Sequence, residues 1–330
     1  MLNRKVVSVA ALAAVLSIPA VAAAGEGHCS VPVSTYSIVA YDSATGQFGA
    51  AVQSHYFRVA DVIWAEPSVG AVATQSLVDF RYGPLGLDMM RSGKTAQQAL
   101  YGLLASDPDS RVRQVAMIDL HGNVATHTGT HCIAQAGHQA GRNYSVQANL
   151  MEKATVWPAM AEAFENAQGD LAERMLAALD AAEAEGGDIR GRQSVALLVV
   201  KAHPTGQEWS DRVFDLRVDD SPEPLVELRR LLGIARAYDH MDRGDEFITA
   251  GDFEAAEKEY TLAAELAPGN LEVRFWQAVT LVTVGEVDRA LPVFEDIFAQ
   301  DERWRVLVPR LVDAELLPDD QEIIDRIVAQ

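Results

Sequence analysis

The sequence predicts an α+β domain followed by a smaller all-helical one. Three observations carry this. Short extended segments rich in β-branched residues alternate with amphipathic helical segments from about residue 34 to 218. An acidic, proline-containing stretch, Asp219-Asp220-Ser221-Pro222-Glu223-Pro224, then interrupts the chain. Beyond it only helical periodicity remains, and it repeats every 34 residues.

The opening residues are read first. Met1-Leu2-Asn3-Arg4-Lys5 is basic, Val6 to Val21 is apolar, and Ala22-Ala23-Ala24 is small. That order predicts a secretory signal peptide over 1–24, removed after Ala24, and a periplasmic or secreted protein. The apolar run falls short of the ~20 residues a membrane span needs, so no membrane association is expected after cleavage. Losing Arg4 and Lys5, with no acid, takes the net charge from −20 to −22. Such a surface repels nucleic acid and anionic lipid. Residues 25–33 form an N-terminal arm carrying Cys29. An exported chain with two cysteines allows a Cys29–Cys132 bridge or two free thiols.

Strands are expected over 35–41, 47–54, 69–76, 112–119, 122–128, 143–149 and 193–200. Thr45-Gly46 turns the first pair, and Asp119–Asn123 supplies a second hairpin. Helices are expected over Tyr82–Ser92, Thr95–Leu104, Val156–Ala167 and Asp170–Ala184, the last stopped by Gly186-Gly187. Val195–Val200 is continuously apolar, the mark of a strand covered on both faces. The linker and a connecting helix that opens at Pro224 occupy 219–236. From 237 to 330, Gly251 matches Gly285, Ala256 matches Ala290 and Tyr260 matches Phe294. Small, large and breaker positions at this spacing resemble the tetratricopeptide repeat, which implies a helical surface able to hold a protein partner.

Chemistry-bearing residues are few. Thr35 opens the first strand, as an ordinary β-branched strand residue or as a nucleophile. A Thr hydroxyl needs a base, and a free α-amine on the same residue serves if the chain is cut before it. Gln147-Ala148-Asn149 ends another strand; the Asn149 amide either donates to an oxyanion or caps the following helix. Arg190 and Arg192 flank Gly191, and either grip an acidic substrate or pair with neighbouring acids. His55 ends the second strand and is a candidate substrate contact together with Arg192. His121, His127, His131 and His138 crowd near Cys132, but their spacings match no zinc pattern, and solvated or hydrogen-bonded histidines are the simpler reading. No G-x-S-x-G elbow, P-loop or dinucleotide fingerprint occurs, and no metal or cofactor is expected.

The strings Thr35–Ala40, Ala51–Ser54, Gly70–Gln75, Tyr82–Leu87, Ala136–His138, Val146–Asn149 and Gly191–Ser194 resemble, in order, a bacterial family of unknown function. Arg217–Asp220 looks like that family's closing motif. The family is placed in the N-terminal nucleophile hydrolase-like superfamily. The resemblance implies a four-layer αββα sandwich over 34–218 and puts Thr35 at the nucleophile position. Taken with the leader, it implies by analogy an exported hydrolase of an amide or similar C–N bond in a small molecule or peptide. Asn149 would hold the oxyanion, and His55 and Arg192 would contact substrate. The leader and Cys29 arm depart from the pattern of the family's cytoplasmic members, in which Thr often follows the initiator Met. The alternative is a non-catalytic scaffold whose helical repeats bind a partner.

Overall fold

The computed structural model describes residues 32–33 and 35–330. The expected leader, Cys29 and residue 34 lie outside the described residues. The first body is α+β and carries the strands and helices expected, with three further strands longer than two residues. In chain order these are β1 (Pro32–Val33), β2 (Thr35–Tyr41), β3 (Phe48–Ser54), β4 (Ile63–Glu66), β5 (Gly70–Leu77), α1 (Tyr82–Arg91) and α2 (Ala96–Ser106). There follow β6 (Arg113–Asp119), β7 (Val124–Thr128), β8 (Gly137–Gly141), β9 (Tyr144–Asn149), α3 (Val156–Asn166) and α4 (Leu171–Ala184). The body closes with β10 (Ser194–Val200), the single-turn α5 (Glu208–Asp211) and β11 (Arg212–Val218).

Two antiparallel sheets result. One has the order β11-β10-β3-β2-β9-β8, the other β1-β5-β6-β7 with β4 also on β5. Val39, Ala50 and Val52 of the first sheet share a core with Ala71, Ala73, Ala116 and Ile118 of the second. Small residues dominate this layer and let the sheets approach. On the opposite face of the first sheet, Tyr36, Ile38 and Val146 pack on α3 and α4. On the second sheet, Val72, Val115 and Met117 pack on α1 and α2. Strands sandwiched this way are apolar on both faces, which explains the unbroken run in β10.

Local chemistry fixes the connections. In the β6–β7 hairpin Gly122 takes φ +75°, and the Asp119 carboxylate accepts from the amides of His121 (3.0 Å) and Asn123 (3.1 Å). The same carboxylate accepts from Ala96 N at 3.0 Å, tying that turn to the start of α2. Thr95 and Gln98 form a reciprocal capping box there.

The remainder is helical: α6 (Pro224–Ala250), α7 (Phe253–Leu266), α8 (Leu271–Thr283), α9 (Val287–Gln300), α10 (Arg303–Asp313) and α11 (Gln321–Val328). The expected boundary at 236/237 falls inside α6, which runs unbroken for 27 residues. Gly251 ends α6 in the left-handed region at φ 76°, and Gly285 has φ 86° between α8 and α9. Ala256 and Ala290 are both fully buried, as are Tyr260 and Phe294 to within 2%. Positions 34 residues apart therefore occupy like environments. No described helix is long and apolar enough to cross a membrane.

Candidate functional site

β2 begins at Thr35, which is 0% exposed. Antiparallel register sets it opposite Ser54 of β3 and Asn149 of β9, and Ser54 in turn opposite Ser194 of β10. Directly opposed residues share a sheet face, so Asn149, Thr35, Ser54 and Ser194 form one polar row facing the second sheet. Just before it, Pro32–Val33 pairs with β5 of that second sheet. The chain therefore changes sheets between Val33 and Thr35, at the point where a cut would have to occur.

Around Thr35 the layer between the sheets is a network of amides and hydroxyls. The Thr35 carbonyl accepts from Gln75 Nε2 (3.1 Å) and Asn149 Nδ2 (3.4 Å). Gln114 Oε1 accepts from the same two groups, at 2.7 Å from Gln75 and 3.0 Å from Asn149. Ser37 Oγ donates to Gln75 Oε1 (2.6 Å) and accepts from Gln147 Nε2 (2.5 Å). Gln114 Nε2 shares its hydrogens among Thr128 Oγ1 (2.9 Å), Ala148 O (2.9 Å) and Gly137 O (3.1 Å). Thr128 Oγ1 also meets His138 Nδ1 at 2.8 Å. The network thus runs from Thr35 outward to the imidazole of His138 on the exposed edge strand β8. Burial, and then the neighbouring His127, hold the His138 pKa below the usual histidine value.

Thr35 and Asn149 are brought together. Asn149 does not cap the next helix, because α3 starts at Val156 after Thr155. His55 and Arg192 are also brought together, with His55 Nδ1 3.3 Å from Arg192 O. Alternation sends the Thr35 and Tyr36 side chains to opposite faces, and Arg192 belongs to the Tyr36 side. There Glu183 accepts from Tyr36 OH (2.6 Å), Gln53 Nε2 (2.7 Å) and Arg192 Nε (2.6 Å). Arg192 also pairs with Glu223 at 2.5 Å. Arg190 pairs with the buried Asp188 at 2.8 Å, and Asp188 accepts from His55 N at 3.2 Å. Both arginines therefore take the paired arrangement. Burial, and then Glu183, push the Tyr36 phenol well above its ordinary value.

The histidine-rich segment does not converge. His127 Nε2 meets Ser110 O at 2.8 Å, and His131 Nδ1 meets Thr130 Oγ1 at 3.1 Å. Among the described residues no three His, Cys, Asp or Glu side chains are grouped to hold a metal. Cys132 has no disulfide partner among the described residues, and its Sγ lies 3.4 Å from Arg113 O. Burial pushes its thiol pKa up.

The glutamines were not singled out in the sequence, although a signal exists. Gln53, Gln75, Gln114 and Gln147 each stand within an expected strand, and a buried amide there must find partners inside the protein.

Residues 35–228 match the model of a family of unknown function, DUF1028. The match starts at Thr35 and ends within α6, leaving α7–α11 outside it. No curated protein matches the chain. The crystal structure of protein SPO2555 from Silicibacter pomeroyi, assigned to the same family, is 30% identical. That alignment covers 60% of this chain and 88% of the other, with a TM-score of 0.54.

Proposed function

The chain belongs to DUF1028, the family of unknown function that its residues 35–228 match, and from that premise we propose that it is an exported amide hydrolase whose nucleophile is Thr35. One observation carries the reading. Thr35 stands at the head of a strand, on the inner face between two sheets, opposite Asn149, where the chain changes sheets. In this reading the two sheets and their outer helices are the four-layer αββα sandwich of the N-terminal nucleophile hydrolases. The α6–α11 region is tetratricopeptide-like and holds a protein partner.

A cut between Ser34 and Thr35 frees an α-amine with a pKa near ~8. That amine takes the Thr35 Oγ1 proton, and Oγ1 attacks the carbonyl carbon of an amide or related C–N bond. Asn149 Nδ2, now 3.4 Å from the Thr35 carbonyl, turns to the oxyanion together with backbone N–H groups. The protonated amine then passes its proton to the leaving nitrogen. Water hydrolyses the acyl-Thr35 ester. Arg192 and His55 lie on the Tyr36 side of the sheet, so they contact a substrate that extends past the head of β2, Arg192 exchanging Glu223 for a substrate carboxylate.

N-terminal sequencing of the exported protein tests the premise, with a chain starting at Thr35 expected. Against a panel of acyl-amino acids and small amides, Thr35→Ala removes turnover and Thr35→Ser retains part of it. Full activity of Thr35→Ala would show that the chemistry lies elsewhere.

A second reading, a non-catalytic scaffold, is favoured by the commitment of the site's groups. Thr35 is fully buried, and the Asn149 amide already donates to Gln114 and to the Thr35 carbonyl. A mature chain starting near Gly25 supports this reading.

A further inference from the structure

At the open edge of the sandwich the two sheets do not cover each other. β4 is the last strand of its sheet on that side, while β11 extends the other sheet beyond it. A cavity of about 590 Å³ lies between them. It falls within the ~300–1,000 Å³ range of small-molecule sites. Its charged wall is also set apart from Thr35: β11 is three strands from β2, roughly 14 Å at the usual strand spacing.

One wall is apolar and held in place. Ile63 and Trp64 come from β4, Leu87 from α1 and Leu198 from β10. The Trp64 ring rests on Gly83, where a Cβ would stand 2.2 Å from it, so no other residue fits beneath that indole. Phe80, at the rim, is 40% exposed and extends the apolar wall to the mouth of the cavity.

The other wall is charged. Arg217 and Asp215 of β11 are register partners of Ala196 and Leu198, and Arg212 stands opposite Val200 past a register shift. Asp215 receives Arg217 Nη2 at 2.9 Å, and it receives Arg212 as well. The remaining acid on the lining, Asp61, is neutralised by Arg58 at 2.6 Å. The Arg212–Asp215–Arg217 triad therefore carries one net positive charge, in a chain of net charge −20. Each guanidinium has five N–H donors, and only one of each is given to Asp215.

We propose that this cavity binds a small organic carboxylate with an aromatic or branched apolar body, its carboxylate held between Arg212 and Arg217. The apolar body lies on Trp64, Phe80 and Leu198. Planar guanidinium forks suit a carboxylate, and the apolar wall gives no foothold to a hydrophilic anion. The competing explanation is that the charges on β11 only guard an exposed edge against strand pairing.

Calorimetric titration of the full chain with 3-phenylpropanoate, and with the uncharged 3-phenylpropan-1-ol, separates the two. The acid binds, and the alcohol binds at least about tenfold more weakly, the loss expected for a charge-assisted hydrogen bond. Arg217→Gln and Arg212→Gln each weaken the acid by about tenfold, and Leu198→Trp fills the cavity and abolishes binding. Thr35→Ala leaves binding unchanged, so the site stands or falls independently of the hydrolase reading. Circular dichroism checks the fold, and the half-exposed arginines keep the test valid if Leu198→Trp misfolds. No heat up to about 10 mM acid, equal binding of the alcohol, or arginine variants that associate without losing the ligand would each overturn the proposal.

Discussion

Arg113 is 2% exposed, a burial that a guanidinium tolerates only when its charge and donors are met. Its Nε donates to Asp107 at 2.8 Å and its Nη1 to Leu77 O at 2.6 Å, while Tyr82 OH donates to Asp107 at 3.0 Å. Burial pushes the Asp107 carboxyl up, but the Arg113 hydrogen bond, the Asp109 amide, the Arg113 charge and the Tyr82 hydroxyl together outweigh it and hold the pKa below the usual aspartate value. Arg113→Met strands that carboxylate in the interior and is expected to cost ~3–5 kcal/mol in urea denaturation at pH 7. The Arg113→Met/Asp107→Leu double variant recovers part of the loss. His138 gives a pH dependence of the same sign, in a higher pH window. Its folded pKa lies below the unfolded value near ~6.5, so the unfolded chain binds more protons as pH falls. Stability should therefore drop as pH is lowered through about 6.5 toward the folded value, and His138→Gln should flatten that part of the profile. Neither Arg113 nor His138 announces its surroundings in the sequence. Thr35 and Asn149 are legible as strand ends, but the glutamine amides that bind them are not, because hydrogen bonding between sheets depends on which strands lie face to face.

Elements are legible where hydrophobic pattern and breakers agree. The β6–β7 hairpin follows from Asp119 and Gly122, and α4 ends before Gly186-Gly187 as its glycines predict. β4, β8 and β11 are the strands the sequence hides. β4 has four residues, too few for alternation to show. β8, Gly137-His138-Gln139-Ala140-Gly141, is an exposed edge with neither branched nor large apolar residues. β11 alternates charge with apolar residues under a sheet edge that is left open. The helix α6 misleads in the other direction. Gly233 and Gly244 lie within it without ending it, and Gly244 serves packing: a Cβ there would stand 2.6 Å from the Tyr260 ring. Its apolar stripe changes partners midway, from the β10–β11 side to α7, with no breaker to mark the change.

That change of partner makes α6 the joint of the whole molecule. Its first half places Leu225, Leu228 and Leu232 in the core that contains Phe214, Val218 and Leu176. Arg236 of the same helix pairs with Asp170 (2.7 Å) and Glu173 (2.6 Å) of the α4 end. Its second half buries Ala237 and Met241 against Tyr260, Ala263 and Val273. The family match stops at residue 228, yet Leu232 and Arg236 still belong to the first body. A chain ending at residue 222 is therefore expected to expose apolar surface on β11 and α4. Each leucine lost from that core is worth ~1.5–3 kcal/mol, so the three together remove several kcal/mol. One ending at residue 236 restores the leucines and the Arg236 pairs, and should recover most of that stability without any of α7–α11. Thermal melts and dye binding on both chains, beside the full chain, make the comparison. Should the chain ending at 222 melt with the full-length protein, α6 would be a passive tether, and the interface drawn here between the first body and its helical extension would contribute nothing to the fold.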